Sequence, residues 1–155
     1  MLYSILLWLH ILCAITALGA NLTYFLWLFR VGASPQSLVF TLRTIKILDD
    51  WVANPAYVLA FFTGDGMLRT AAYAEGLSYK TPWILTAIAL YALVAVLGLF
   101  VYSPLLKKQI KLAESAGPDT PEYKRVSNMG IFIGFVIVAL TLVITFLMAV
   151  KPQVW

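Results

Sequence analysis

Long apolar runs separated by short polar stretches dominate the sequence. Uncharged runs cover residues 1–29, 81–106 and 126–150. A transmembrane helix needs about 20 apolar residues at a rise of ~1.5 Å per residue, and each run is longer than that. The pattern therefore predicts three membrane-spanning helices, over residues 2–30, 82–106 and 126–150.

A fourth apolar stretch, residues 51–69, is shorter and more polar. It contains Asn54, Thr63 and Asp65, so its hydropathy is lower than that of the other three. We interpret it as a span because leaving it out would place the two basic loops on opposite sides of the membrane. The sequence thus predicts an all-α fold, an integral membrane four-helix bundle that forms one domain over residues 1–155.

The segment over residues 35–50 repeats apolar residues every three or four positions. Leu38, Leu42, Ile45 and Leu48 form a single stripe, as expected of an amphipathic helix. We predict that this helix leads into the second span from the cytoplasmic side.

Prolines predict where helices begin and bend. Pro35 and Pro121 each follow a hydroxyl residue that can cap a helix, so helices should begin at both positions. Pro55 and Pro104 fall inside predicted spans. Because proline lacks a backbone donor, a kink is expected near each of them.

Charge predicts the topology of the bundle. Only 12% of the residues are charged, and 62% are hydrophobic, a balance that a soluble core of this size cannot bury. Eight of the 11 Lys and Arg residues lie in the first and third loops. The positive-inside rule places these loops in the cytoplasm and both termini on the outer side. The net charge of +4 therefore reflects topology, and we expect no nucleic-acid partner.

Polar side chains inside the spans predict a site in the outer half of the bundle. Counted at ~1.5 Å per residue from the outer helix ends, several such groups lie at depths of about 5–10 Å. Polar groups are costly in hydrocarbon and usually face the bundle interior. We therefore expect them to converge, and we expect no matching polar layer in the inner half. The groups are His10, Thr63, Asp65, Thr86, Thr145 and Met148.

His10 is the only histidine of the chain. It falls on one side of the first helix, at steps of three and four residues, with Cys13 or Ala14, Ala17, Asn21 and Tyr24. The residues leave two interpretations open, a metal ligand or a hydrogen bond to a neighbouring helix. The threonines and Met148 have similar alternatives, because hydroxyls often join helices and methionines often only pack.

Four short motifs occur in a recognisable order along the chain. They are LWLHILCAITALGAN at residues 7–21, TGDG at 63–66, TPW at 81–83 and FLMAVKP at 146–152. In this order they resemble a family of predicted bacterial four-helix integral membrane proteins of unknown function. The resemblance implies a multi-pass protein of the bacterial inner (plasma) membrane.

More distantly, the N-terminal histidine and the final MAVKP are similar to copper-resistance CopD proteins and HemJ-type protoporphyrinogen oxidases. The HemJ-type proteins are four-helix heme binders in which a histidine of the first helix matters for heme. The resemblance implies that His10 is an iron ligand of a heme b, and we take Asn21, Thr63 and Met148 as further cofactor-binding candidates. One histidine per chain excludes a bis-histidine site within the chain. The heme iron would then have His10 alone, Met148 as a weak second ligand, or a ligand from a partner chain.

Two functions follow, and they leave open whether the protein is an enzyme. The first is a heme protein with a redox or electron-transfer role, which oxidises a porphyrinogen or a quinol or passes electrons within a complex. The second is a non-catalytic accessory or assembly subunit without a cofactor. The expected partners are the lipid bilayer and a homo-oligomer or a larger membrane complex. Gly130 and Gly134 would serve either a dimer face or packing within the bundle.

Overall fold

The computed structural model describes residues 1–31, 35–75 and 78–152, and these residues are helical apart from short turns. Two π-helical turns, Asp49–Ala53 and Leu97–Tyr102, join α2 to α3 and α4 to α5, so the described residues form four long helical rods. The helices are α1 (Leu2–Arg30), α2 (Pro35–Leu48), α3 (Asn54–Glu75), α4 (Pro82–Val96), α5 (Ser103–Ser115) and α6 (Pro121–Val150).

Three helices are long and apolar enough to cross a membrane, namely Leu2–Arg30, Pro82–Ser115 and Pro121–Val150. Among the described residues, the rod that contains α3 does not meet this description. Its polar residues, among them Asn54 and Asp65, lower its hydropathy. The span over residues 51–69, second in chain order, therefore stays a prediction.

Both predicted proline starts are confirmed. α2 begins at Pro35 and α6 begins at Pro121. At α6 the hydroxyl of Thr120 accepts a hydrogen bond from the Tyr123 backbone N–H at 3.3 Å, which satisfies one of the free donors of the first turn. Ser34, the predicted cap of α2, lies outside the described residues.

The two prolines inside the rods each follow a π-helical turn. The Asn54 N–H donates to the Asp49 carbonyl, and the Ser103 N–H donates to the Gly98 carbonyl. Both bonds span five residues instead of four. A proline removes one helical donor and its ring crowds the carbonyl four residues back, so a wider turn accommodates it. A kink was predicted near Pro55 and Pro104, and the structure has a π turn before each of them.

The rods pack in antiparallel pairs. α1 packs along α3, α4 packs along α6, and α1 also packs against α6. Met1, the turn before α4 and Lys151 share one end of the bundle, where the Lys151 ammonium lies 5.8 Å from the centroid of the Trp83 ring. We call this end the N-terminal end and the opposite one the loop end.

At the loop end, α2 and α5 extend the second and third rods and pack against each other. Leu42 and Ile45 are completely buried there, and Leu106 belongs to the same apolar core. The Arg43 guanidinium pairs with Glu114 across the contact at 2.7 Å. The predicted amphipathic helix is confirmed, and the partner of its apolar stripe is α5.

Gly130 and Gly134 face the interior of the bundle. A Cβ built on Gly130 would lie 3.6 Å from Gln109 Oε1, and one on Gly134 would lie 3.5 Å from the Tyr102 ring and 3.7 Å from Phe25. This small-residue pair therefore serves packing within the chain.

Candidate functional site

His10 lies on the side of α1 that faces α3. Its Nδ1 atom is 2.9 Å from the Ala60 carbonyl oxygen and 3.2 Å from the Thr63 hydroxyl oxygen. A carbonyl oxygen only accepts hydrogen bonds, so Nδ1 carries a proton and donates. The Thr63 hydroxyl donates to the Leu59 carbonyl at 2.7 Å, which leaves its oxygen free to accept from His10. In a neutral ring the lone pair is then on Nε2.

Two glycines of α3 allow α1 to approach closely at this point. A Cβ on Gly64 would lie 3.1 Å from Cε1 of His10, and a Cβ on Gly66 would lie 3.2 Å from Cδ1 of Leu6. The TGDG motif thus lies within α3, where its glycines contact α1. Its Gly64 provides the flat surface against which the imidazole packs.

The two ring nitrogens of His10 differ in their hydrogen bonding. Within the described part of the chain, Nε2 makes no hydrogen bond, whereas Nδ1 makes two. Histidines that bind metals commonly donate the other ring N–H to a backbone carbonyl, which fixes the tautomer and the ring orientation. The surroundings of His10 therefore match those of a metal-binding imidazole.

A second polar group of residues lies nearer the loop end and joins several helices. The Asn21 amide donates to the Tyr57 hydroxyl at 2.7 Å, and that hydroxyl lies 3.2 Å from the Thr141 hydroxyl. Thr141 donates to the Ile137 carbonyl, so Tyr57 donates to Thr141. The Tyr91 hydroxyl donates to the Tyr57 carbonyl at 2.9 Å. The prediction that the inner half lacks a polar layer was wrong.

A cavity of about 120 Å³ adjoins this polar group. The two π turns contribute to its wall through Asp49 and Tyr102, and α1 contributes Tyr24. Asp49 is 6% exposed and Tyr24 is 4% exposed. The Tyr24 hydroxyl is buried without a hydrogen-bond partner in the described structure.

Asp49 is a buried carboxyl group just before the predicted span over residues 51–69. Its described hydrogen bond comes from the Asn54 amide at 3.4 Å. Burial raises the pKa of Asp49 to about 6, although Lys46 opposes this shift. The Lys46 ammonium itself pairs with the exposed Asp50. No salt bridge to Asp49 occurs among the described residues.

A family comparison agrees with the membrane-spanning architecture. The family model described as "Predicted integral membrane protein (DUF2269)" matches residues 4–152. The chain belongs to the DUF2269 family. No curated protein and no solved structure matches it. The description of the family, a predicted integral membrane protein, agrees with the class predicted from the sequence.

In this DUF2269 protein, hydrogen bonds join only two members of the predicted outer layer within the described residues, His10 and Thr63. The hydroxyls of Thr86 and Thr145 bond to carbonyls of their own helices. Asp65 pairs with Arg69 at 2.8 Å and accepts from the Tyr79 hydroxyl. These side chains therefore have local partners.

The remaining predicted site residues lie elsewhere. Asn21 belongs to the polar group around Tyr57, and Met148 is half-buried near the end of α6, at the same end of the bundle as His10. The sequence pattern placed Tyr24 on the same side of α1 as His10, but it did not identify Asp49, Tyr57, Tyr91 or Tyr102 as neighbours of a cavity. Pro55 and Pro104 were the available signal, because π turns often occur at functional sites of helices.

Proposed function

We propose that this DUF2269 protein binds heme b through Nε2 of His10 and has a redox or electron-transfer role in a bacterial inner membrane. The observation that carries the proposal is the arrangement of the His10 ring. Nδ1–H is held by Ala60 and Thr63, and Nε2 keeps its lone pair without a described protein partner. That is the state in which an imidazole serves as an axial ligand.

His10 can supply one axial ligand to a heme iron, and the described residues form no site that would hold a metal ion without a porphyrin. No group of three or more His, Cys, Asp or Glu side chains that could hold a metal ion occurs in residues 1–31, 35–75 and 78–152. A heme differs from a caged ion because its porphyrin supplies most of the coordination and the protein adds one or two axial side chains. Met148 is our candidate for the second ligand within the chain.

The cavity near Asp49 is not the proposed heme site. It has a volume of about 120 Å³ and His10 does not line it, whereas pockets for drug-sized ligands measure roughly 300–1,000 Å³. The proposal therefore needs a surface outside that cavity. Exposed apolar side chains surround His10 on both helices, among them Leu7 on α1 and Phe61 on α3. Such a surface would meet lipid, a larger complex or a second copy of the chain.

Heme would supply one-electron redox chemistry at this site. The protein residues have separate tasks in the proposal. His10 would hold the heme through Nε2, while the Ala60 carbonyl and the Thr63 hydroxyl accept from Nδ1–H and hold the ring orientation. Gly64 keeps the space that the ring occupies.

The distribution of charge supports an orientation with both termini outside. The loop end carries most of the basic residues, including Arg43 and Lys108 in ion pairs with acidic partners. The positive-inside rule assigns such an end to the cytoplasm. A reporter fused after residue 155 should be active only in its periplasmic form, and activity of a cytoplasmic reporter would contradict this orientation.

A non-catalytic accessory subunit is the second candidate function. The same two hydrogen bonds of His10 join α1 to α3, and they would hold the helix pair together without any cofactor. This function predicts that the purified protein contains no heme and that His10 matters only for stability.

Substitution of His10 by asparagine distinguishes the functions. In His10→Asn the amide nitrogen takes a position similar to Nδ1 and keeps a donor for Ala60, but no atom replaces Nε2. We expect the wild type, produced in heme-replete cells and purified in dodecyl maltoside, to show a Soret band and a reduced-minus-oxidised spectrum typical of heme b.

His10→Asn should abolish these bands while the protein keeps its thermal stability within a few degrees. Asp65→Asn, on the same rod as Ala60, serves as a control and should retain heme. A wild-type protein without a Soret band, or a His10→Asn protein with an unchanged spectrum, would refute heme binding through His10.

A further inference from the structure

The cavity between the two π turns has a charge and a shape that the heme proposal does not use. One carboxylate, Asp49, faces a space walled mostly by aromatic and aliphatic side chains. Charged side chains are rarely buried without a partner of opposite charge. Asp49 is buried, yet Lys46, the nearest basic residue along its rod, pairs with Asp50. The structure thus leaves one buried acidic group that requires either a proton or a cation.

Aromatic rings form a large part of the cavity wall. Tyr24 and Phe25 come from α1, Tyr57 from α3, Tyr91 from α4 and Tyr102 from the second π turn. The Tyr57 and Tyr91 rings meet edge to face, with centroids 6.4 Å apart. Faces of aromatic rings attract organic cations, and cages of such rings recognise ammonium groups.

The volume and the ligand set favour an organic cation over a metal ion. About 120 Å³ is much more than the ~10–15 Å³ that one water molecule needs. Calcium takes six to eight oxygen ligands and magnesium requires near-octahedral geometry, whereas this cavity offers one carboxylate. Aliphatic walls from Val94 and Ile137 suit the carbon atoms of an alkylammonium ion.

We propose that the cavity binds a small organic cation, whose ammonium group lies against the Asp49 carboxylate and among the tyrosine rings. Two sources share this chemistry, a free amine and the ethanolamine or choline headgroup of a lipid. The location is consistent with both, because Asp49 immediately precedes the predicted span 51–69 and lies toward the loop end. The site is separate from His10, and its occupancy does not depend on heme.

The first experiment measures binding to the full-length protein in dodecyl maltoside, a detergent without an amine. Choline and ethylamine are titrated, and thermal stabilisation and isothermal calorimetry report saturable binding. Sodium and potassium chloride at equal ionic strength serve as controls for inorganic cations. We expect one site per chain for at least one of the amines and no saturable effect of the inorganic salts.

A buried and an exposed carboxylate provide a pair of variants. Asp49→Asn removes the charge but keeps the shape of the side chain, and it should weaken amine binding at least tenfold. Asp119→Asn changes an exposed carboxylate that does not line the cavity and should bind like the wild type. Tyr102→Leu removes one aromatic wall and should weaken binding, whereas Tyr102→Phe should retain most of it.

The pH dependence of choline binding tests the same group without a substitution. Choline has no titratable proton near neutrality, so a change in its affinity reports on the protein. Because burial raises the pKa of Asp49 to about 6, binding should weaken about tenfold between pH 8 and pH 5. The other titratable groups beside Asp49 are Lys46 and Asp50 on its own rod, with Tyr24, Tyr57 and Tyr102 on the elements around it.

The lipid arm uses nanodiscs of phosphatidylethanolamine, phosphatidylcholine or phosphatidylglycerol. Stabilisation by the first two lipids over the third, lost in Asp49→Asn, identifies a headgroup as the source, and binding in detergent alone identifies a free amine. Absence of saturable binding in both arms overturns the proposal. Binding that Asp49→Asn leaves unchanged, or a response to sodium or potassium alone, overturns it as well.

Discussion

Substitution of Gly64 by alanine tests the contact between His10 and α3 directly. The new methyl group would lie 3.1 Å from Cε1 of His10 and 3.4 Å from its Nδ1, which is too close for the ring to stay in place. The ring can move only by lengthening its hydrogen bonds to Ala60 and Thr63, because both acceptors belong to the same helix as the new methyl group.

The magnitude follows from three opposing contributions. Replacing glycine by alanine inside a helix ordinarily stabilises by about 1 kcal/mol. Overpacking at a close contact costs about 1–3 kcal/mol, and loss of the Nδ1–H bond costs a further ~0.5–1.5 kcal/mol. We therefore expect Gly64→Ala to lower the free energy of unfolding by roughly 0.5–3.5 kcal/mol.

Gly19 provides the control. It lies inside α1, and a Cβ built on it meets no atom within 4 Å, so Gly19→Ala should be neutral or stabilising. Thermal unfolding in dodecyl maltoside, followed by circular dichroism, compares the two variants. In a His10→Ala background the cost of Gly64→Ala should disappear, because the clashing ring is absent. An equal gain from Gly64→Ala and Gly19→Ala in the wild-type background would refute the reasoning.

Three further predictions concern stability. Leu42→Ala should lower the free energy of unfolding by about 2–5 kcal/mol, since Leu42 is completely buried between α2 and α5. Phe40→Ala, on the exposed side of α2, should lower it much less. Equal midpoints of the two variants in thermal unfolding would contradict the described core. Tyr57→Phe should lower the free energy of unfolding by about 1–3 kcal/mol, because the Tyr57 hydroxyl both accepts and donates a hydrogen bond. Tyr24→Phe should be close to neutral in the same assay, because the Tyr24 hydroxyl has no described partner. The raised pKa of Asp49, about 6 against 3.8, favours folding while the group is protonated, so its contribution is present below about pH 4 and lost as pH rises through about 6. Asp49→Asn should consequently gain stability over the wild type between pH 4 and pH 8 in amine-free buffer, and a constant difference across that range would contradict a buried carboxyl group.

Helix boundaries were the most predictable part of the fold. Pro35 and Pro121 begin helices as expected, because a proline in the first turn removes no helical hydrogen bond. The stripe of Leu38, Leu42 and Ile45 is buried as its spacing predicts. Such features depend on residues that are close in sequence, and a linear pattern contains that information.

The site was only partly predictable, because its contacts depend on how the helices are rotated against each other. Depth along the helix placed His10 level with Thr63, and the structure joins them. The same argument placed Thr86 and Thr145 beside His10, but their hydroxyls bond to carbonyls of their own helices. A threonine hydroxyl in a helix can bond to the carbonyl four residues earlier and then needs no partner on another helix. Tyr57, Tyr91 and Tyr102 were not predicted as part of a site, because a tyrosine within an apolar run does not show from the sequence where its hydroxyl points.

Because His10 is the only histidine and its tautomer is fixed, the NMR signals of its ring nitrogens can report on the site. Labelling with histidine that carries ¹⁵N only in its imidazole ring would introduce two labelled nitrogens into the 155-residue chain. The bond to Ala60 makes Nδ1 a protonated nitrogen and Nε2 an unprotonated one, and these two kinds resonate far apart. Each chemical event at α1, whether protonation, ring rotation or ligation, would displace a signal of known origin in an otherwise empty spectrum.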